Sequence, residues 1–147
     1  MGDRAQCSIE IGGNLPAALL EEFAGHVANY DLRTDWSGNP YDPQTNPAGE
    51  MLNLFGEELN GGLVETLEQF CKANALQFRR WSGGCPGAFH PELVVYYGPG
   101  DEHEITATED EHPVLTLQEI SRFETIQDIK DFVARFTRDI PTFTIVP

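Results

Sequence analysis

Apolar positions along the chain recur in two rhythms, and the switches between them lay out its elements in order. Cys7, Ile9 and Ile11 alternate with Ser8 and Glu10, which predicts a half-buried strand. Gly12-Gly13 predicts its end. Asn14 then reads as the N-cap of a helix with Pro16 in its first turn. Leu15, Leu19, Phe23 and Val27, joined by Leu20, form a stripe at helical spacing as far as Tyr30. Met51 to Phe55 predicts a short strand, and Asn60-Gly61-Gly62 turns into a second helix with Leu63, Leu67, Phe70 and Cys71 on one face. Leu76 to Trp81 is the next strand. Leu93 to Tyr97 is a continuous β-rich run ended by Gly98-Pro99-Gly100, and His103 to Thr108 follows as the next strand of a hairpin or meander.

Thr116-Leu117-Gln118-Glu119 fits a capping box opening a short helix. A third main helix begins near Thr125, with Ile126, Ile129, Phe132, Val133 and Phe136 as its expected buried face. Pro141 breaks that pattern, and Phe143 and Ile145 alternate in a closing strand. The order β-α-β-α-β-β-β-α-β predicts a single α+β domain over residues 1–147. Its sheet should be mixed and mostly antiparallel, with about three helices packed mainly on one face.

Composition supports a folded globule. Apolar residues make up 40% of the chain and aromatics 10%, so its acidity belongs to a surface and not to a disordered tail. The longest apolar run, Leu93 to Tyr97, is far short of the roughly 20 residues of a membrane span. Met1-Gly2-Asp3-Arg4 lacks the basic-then-apolar pattern of a secretory signal, and Gln6 stands where a myristoylation signal wants Ser or Thr. The expectation is a cytoplasmic protein. Cys7 and Cys71 read as small core hydrophobes, and Cys85 in a Gly/Pro-rich loop is the one cysteine expected to be exposed.

Charge narrows the picture further. The formal net charge is −15. Between Trp81 and Ser121 the chain has acids but no Lys or Arg. Such a field repels nucleic acid and attracts cationic surfaces. Glu92 falls at a strand start, whereas Asp101, Glu102, Glu104, Glu109, Asp110 and Glu111 fall on one exposed hairpin and its ends. Arg79-Arg80 is the only basic cluster, and on a strand its two side chains point to opposite faces. A nucleic-acid site wants a one-sided stripe, so these arginines are expected to be local partners for carboxylates.

Catalytic and cofactor signatures are missing. There is no P-loop, no G-x-G-x-x-G after a strand and no G-x-S-x-G elbow. His103-Glu104 starts like a zincin motif, but Ala107 replaces its second histidine. His90-Pro91-Glu92 lacks the paired cysteines that a zinc deaminase places downstream. No cofactor is expected. Cys85, His90 and His103, with Glu102 or Glu104, are a ligand set zinc would accept, set against the simpler reading as solvated loop residues. A Cys85–histidine nucleophile pair is disfavoured by the acidic surroundings, which raise a thiol pKa. In the long Asp31–Ala48 loop, Asp31, Asp35, Asn39 and Asp42 offer oxygens to calcium, but their spacing departs from an EF-hand and turn formation explains them better. The length of that loop marks it as a candidate functional element.

The opening Ile9-Glu10-Ile11-Gly12-Gly13-Asn14-Leu15-Pro16 resembles small uncharacterised bacterial proteins, chromosomal or carried on mobile elements, that begin with a strand, a Gly-Gly turn and a Leu-Pro-started helix. Glu65 to Cys71 and Pro91 to Val95 resemble further parts of that pattern. The resemblance implies no functional residues to transfer.

Tyr96, Tyr97, Trp36, Tyr41 and Trp81 lie in or beside the long loops and the acidic segment. Aromatic anchors rimmed by charge make protein interfaces, unless these rings are core. The leading expectation is an acidic protein-interaction domain rather than an enzyme. Its interaction residues would be Asp101, Glu102, Glu104, Glu109, Asp110 and Glu111 with Tyr96, Tyr97 and Trp36. Its partner would be a basic protein surface, in the sharper form a nucleic-acid-processing defence enzyme inhibited in the anti-restriction or anti-CRISPR manner. The alternatives are a small metal-dependent hydrolase at Cys85, His90 and His103, and a small-ligand module with its pocket between the Asp31–Ala48 loop and the sheet.

Overall fold

The alternation that opens the chain builds the central strand, β1 (Arg4–Pro16), in which Cys7, Ile9 and Ile11 are fully buried. A computed structural model describes residues 3–46 and 48–147. Met1, Gly2 and Pro47 lie outside the described residues, and with them the readings of the Met1-Gly2 opening and the Asn46-Pro47 turn. β1 pairs antiparallel with β2 (Leu52–Asn60) on one side and β3 (Gln77–Ser82) on the other. β3 pairs with β4 (Glu92–Tyr96), and β4 with β5 (Glu102–Thr106), all antiparallel. The order is β2-β1-β3-β4-β5, and β6 (Phe143–Val146) adds in parallel to the end of β1. The fold is the α+β domain with a mixed, mostly antiparallel sheet that the pattern predicts.

Gly12-Gly13 does not end β1. The strand runs on because β6 pairs with Gly13–Pro16. The Gly13 amide donates to the Thr142 carbonyl at 2.9 Å. A Cβ on Gly12 would stand 1.9 Å from the Pro141 carbonyl oxygen, and Gly13 has φ +117°. The glycines therefore serve a close backbone approach. Asn14 is a strand residue and not an N-cap, and a short 3-10 turn (Ala17–Leu19) leads into α1 (Leu20–Asn29).

α1 buries Phe23 and Val27, and α2 (Glu65–Ala73) buries Leu67, Phe70 and Cys71. Both pack on the sheet face of Cys7, Ile9, Ile11, Phe78, Val94 and Tyr96. The other face, with Trp81, Leu93, Val95 and Ile105, is covered by Phe136 and Ile140 and flanked by Phe132, Leu115 and Trp36. On the way to that face the chain forms α3 (Leu117–Ile120), with the predicted capping box complete, and α4 (Ile126–Ala134), capped by the Thr125 hydroxyl.

α4 departs from expectation. No residue within it is buried, and Ile126 is 71% exposed. Ile129, Phe132 and Val133 are half-buried, and only Phe136 beyond its end enters the core. Phe136 and Ile140 already cover the sheet face, so the helix rides on the rim.

Candidate functional site

Two-sided burial of the sheet decides the fate of the expected aromatic anchors. Tyr96, Tyr97 and Trp81 are core residues, 6%, 7% and 4% exposed. Successive strand residues face opposite ways, and here both faces are covered. Tyr96 stacks on Phe78 at 5.6 Å. The Tyr97 hydroxyl donates to the Arg135 carbonyl, and the Arg138 guanidinium lies 4.0 Å over its ring. Trp36 and Tyr41 are half-buried; the Trp36 ring lies 4.8 Å from Phe55, and Tyr41 meets Phe23 edge-on. Of the aromatic anchors the sequence suggests, Trp36 keeps an accessible surface beside acids.

The acid-only stretch divides. Asp101 accepts a hydrogen bond from His103 Nε2 at 2.7 Å and meets Arg138 at 3.4 Å. The His103 bond, with the nearby Arg138 charge, holds its carboxyl below the usual range. Glu102 accepts from Lys72 Nζ at 2.7 Å. These two carboxylates are neutralised within the fold. Glu104 is exposed and shares an open groove of about 510 Å³ with His90, Glu92 and Glu119. Glu109 accepts only the Gly84 amide, at 3.1 Å, and Asp110 is exposed. Glu111 has φ +66°, and burial followed by the charge of Glu10 raises its carboxyl pKa. Among the described residues, Glu104, Glu109, Asp110 and Glu111 form no ion pair.

The basic cluster turns inward on both faces. Arg79 pairs with Glu10 at 2.7 Å. Arg80, 5% exposed, reaches Glu68 of α2 at 2.8 Å, Glu92 at 3.1 Å and the Ser82 hydroxyl. Burial raises the Glu68 carboxyl pKa, and the Arg80 charge opposes that rise. Neither arginine is left free for a phosphate.

The proposed metal ligands do not converge. His103 stands on the face of Val95 and Phe136, whereas His90 shares its groove with Glu104, whose strand neighbour Val94 belongs to the opposite face. Cys85 is a half-buried free thiol. Among the described residues no group of three or more His, Cys, Asp or Glu side chains is arranged to hold a metal ion. In the long loop, Asp35 accepts the Trp36 amide at 2.8 Å and Asp42 the Gln44 amide at 2.9 Å, the bonds expected of turn formers.

Two acids outside the acid-only stretch complete the surface. Antiparallel pairing brings Arg4 opposite Asn60, Cys7 opposite Ser82 and Glu92 opposite Thr106. The end of β2, the loop after β3 and the loop after β5 therefore share one end of the sheet. Glu58 and Glu109 line a single groove there. Glu57 and Glu58 also wall a cleft of about 420 Å³ against Asp31, Arg33, Trp36 and Phe55. The sequence signal was the Glu57-Glu58 pair just before the Asn60-Gly61-Gly62 turn, but only topology sets it beside Glu109.

No protein family, curated protein or solved structure matches this chain. Among the described residues no helix is long and apolar enough to cross a membrane.

Proposed function

We propose that this protein is an acidic interaction domain that binds a basic surface of another protein through one end of its sheet and the adjoining outer strand. The supporting observation is the unequal use of charge. Five of the nine Lys and Arg side chains, Arg33, Lys72, Arg79, Arg80 and Arg138, meet carboxylates of the same chain, and Arg4, in the groove of Glu58 and Glu109, donates to the Glu58 backbone carbonyl at 3.5 Å. Glu57, Glu58, Glu104, Glu109 and Asp110 form no ion pair among the described residues and face solvent. Unpaired carboxylates gathered from distant segments attract a cationic partner and speed its encounter.

In its sharper form the partner is a nucleic-acid-processing enzyme of the restriction or CRISPR kind. Its Lys and Arg side chains would exchange phosphates for carboxylates that release no condensed counterions of their own. The resemblance of the opening segment to proteins of bacterial chromosomes and mobile elements fits this form, and the reading carries with it a cytoplasmic location. Four interaction residues expected from the sequence fall away: Tyr96 and Tyr97 are buried, and Asp101 and Glu102 are occupied.

The test is charge reversal in two sets, read by direct binding to a basic protein recovered from lysate and by that protein's nuclease activity. Lysine at Glu57, Glu58, Glu104, Glu109 and Asp110 should abolish binding and relieve any inhibition. Lysine at Asp101 and Glu102 should lower stability more than affinity. Undiminished binding by the first set ends the proposal.

A further inference from the structure

We infer that the cleft between the turn at Asp31–Ser37 and β2 is a receptor for a guanidinium group, an arginine side chain of the basic partner, seated against Trp36 and Phe55 and held by Glu57 and Glu58. This rests on the reading of the protein as a binder of basic surfaces and names the group that one part of its surface takes.

The cleft has the walls this ligand needs. Trp36 and Phe55 are both half-buried, with ring centroids 4.8 Å apart and planes at 52°. Glu57 and Glu58 line the same space of about 420 Å³ and have no ion pair. An aromatic face and carboxylates together suit a cation that is planar, weakly hydrated and rich in donors, which favours guanidinium over ammonium.

The fold already performs the same recognition in the wall of this cleft, which Asp31 and Arg33 also line. Arg33 places its own guanidinium against the Asp31 carboxylate at 3.3 Å and the Gly38 carbonyl at 2.9 Å. That contact satisfies Asp31 and neutralises Arg33, so the charge left in the cleft is that of Glu57 and Glu58. The cleft is also held open in advance. Arg33 and Phe55 exchange two backbone hydrogen bonds, each 2.8 Å, which pin the loop to β2. The Asp35 carboxylate fixes the Trp36 amide. A rigid receptor loses little entropy on binding a side chain.

The experiment is an NMR titration of the full chain with N-acetyl-arginine amide, following the two indole N–H signals. Trp81 is an internal control, because its indole donates to the Thr108 carbonyl at 3.0 Å inside the fold. A saturable shift is expected at Trp36 and none at Trp81. N-acetyl-citrulline amide, which has the same shape without the charge, should bind at least roughly ten-fold more weakly. The Glu57→Gln, Glu58→Gln double variant changes exposed side chains only, should unfold at or slightly above the wild-type temperature, and should lose the Trp36 response. No saturable shift at Trp36, or an equal response from the citrulline amide or the double variant, overturns the inference.

The two proposals fail separately. If the arginine probe binds as stated while the five-lysine variant still binds its basic partner, the partner reading falls and the cleft stands as a cation site. If charge reversal abolishes partner binding but the probe leaves Trp36 unmoved, the cleft inference falls alone.

Discussion

Arg80 sits where the acidity of the chain is turned to internal use. Its guanidinium is sealed under α2 between Glu68 and Glu92, with Ser82 passing a hydrogen bond on to the Gly62 carbonyl at 2.6 Å. Removing only the cation strands the buried Glu68 carboxylate. Arg80→Met should therefore cost about 3–5 kcal/mol in urea denaturation, whereas Arg80→Met with Glu68→Leu should recover much of that loss. If the double variant is as unstable as the single one, packing of the Arg80 stem and not charge explains the site. Asp101 behaves oppositely. Its carboxyl titrates below the ordinary value because His103 and then Arg138 favour the charged form. A depressed carboxyl adds stability that is complete above its unfolded pKa of about 4 and is lost as pH falls through the folded value. Melting temperature against pH should thus fall more steeply in acid for the wild type than for Asp101→Asn, and parallel curves would contradict this. Strand alternation alone made it legible that Arg79 and Arg80 face opposite ways. That Glu68 would be buried was not legible, since a glutamate beside the Leu67–Cys71 stripe reads as solvent-facing until the arginine beneath it is known.

At the scale of elements, what was legible was local. The Thr116 capping box, the Gly61-Gly62 turn with both φ values positive and the β4–β5 hairpin all follow from neighbouring residues. What was missed depends on contacts across the chain. Gly12-Gly13 reads as a terminator because its partner, Thr142 and β6, lies at the far end of the sequence. α4 carries an amphipathic pattern, yet nothing in that pattern says that Phe136 and Ile140 take the sheet face first. Gly12→Ala tests the β1–β6 seam, since its methyl would collide with the Pro141 carbonyl, which is backbone and cannot rotate away. A loss of about 1–3 kcal/mol is expected from this overpacking. Hydrogen exchange should show it selectively, with faster exchange at Leu15 and in β6 and unchanged protection at Ile9 and Ile11. Uniform loss of protection would mean that β6 is integral to one cooperative sheet and not a strand docked upon it.

For the whole molecule, the formal charge of −15 has two consequences that salt drives in opposite directions. Like charges spread over one surface repel, and the folded state holds them closer together than the unfolded chain does. Between roughly 0.01 M and 1 M sodium chloride the Debye length falls from about 30 Å to about 3 Å, so that repulsion is screened away. The melting temperature should rise across this range, because the pairs that salt weakens most, Arg33–Asp31, Lys72–Glu102 and Arg138–Asp101, are exposed and contribute little, whereas Arg79–Glu10 is half-buried and Arg80–Glu68 is sealed. Affinity for a basic partner should fall over the same range, since attraction between exposed charges is what the salt removes. The pairing of signs matters more than either trend alone. A binding defect with unchanged or higher thermal stability cannot be blamed on unfolding, so it isolates the carboxylates at the end of the sheet as the binding determinant. The five-lysine variant sharpens the point: with fewer negative charges it should melt higher at low salt, respond less to added salt and bind least. If it binds well and melts lower, those carboxylates serve the fold and the interaction lies elsewhere on the surface.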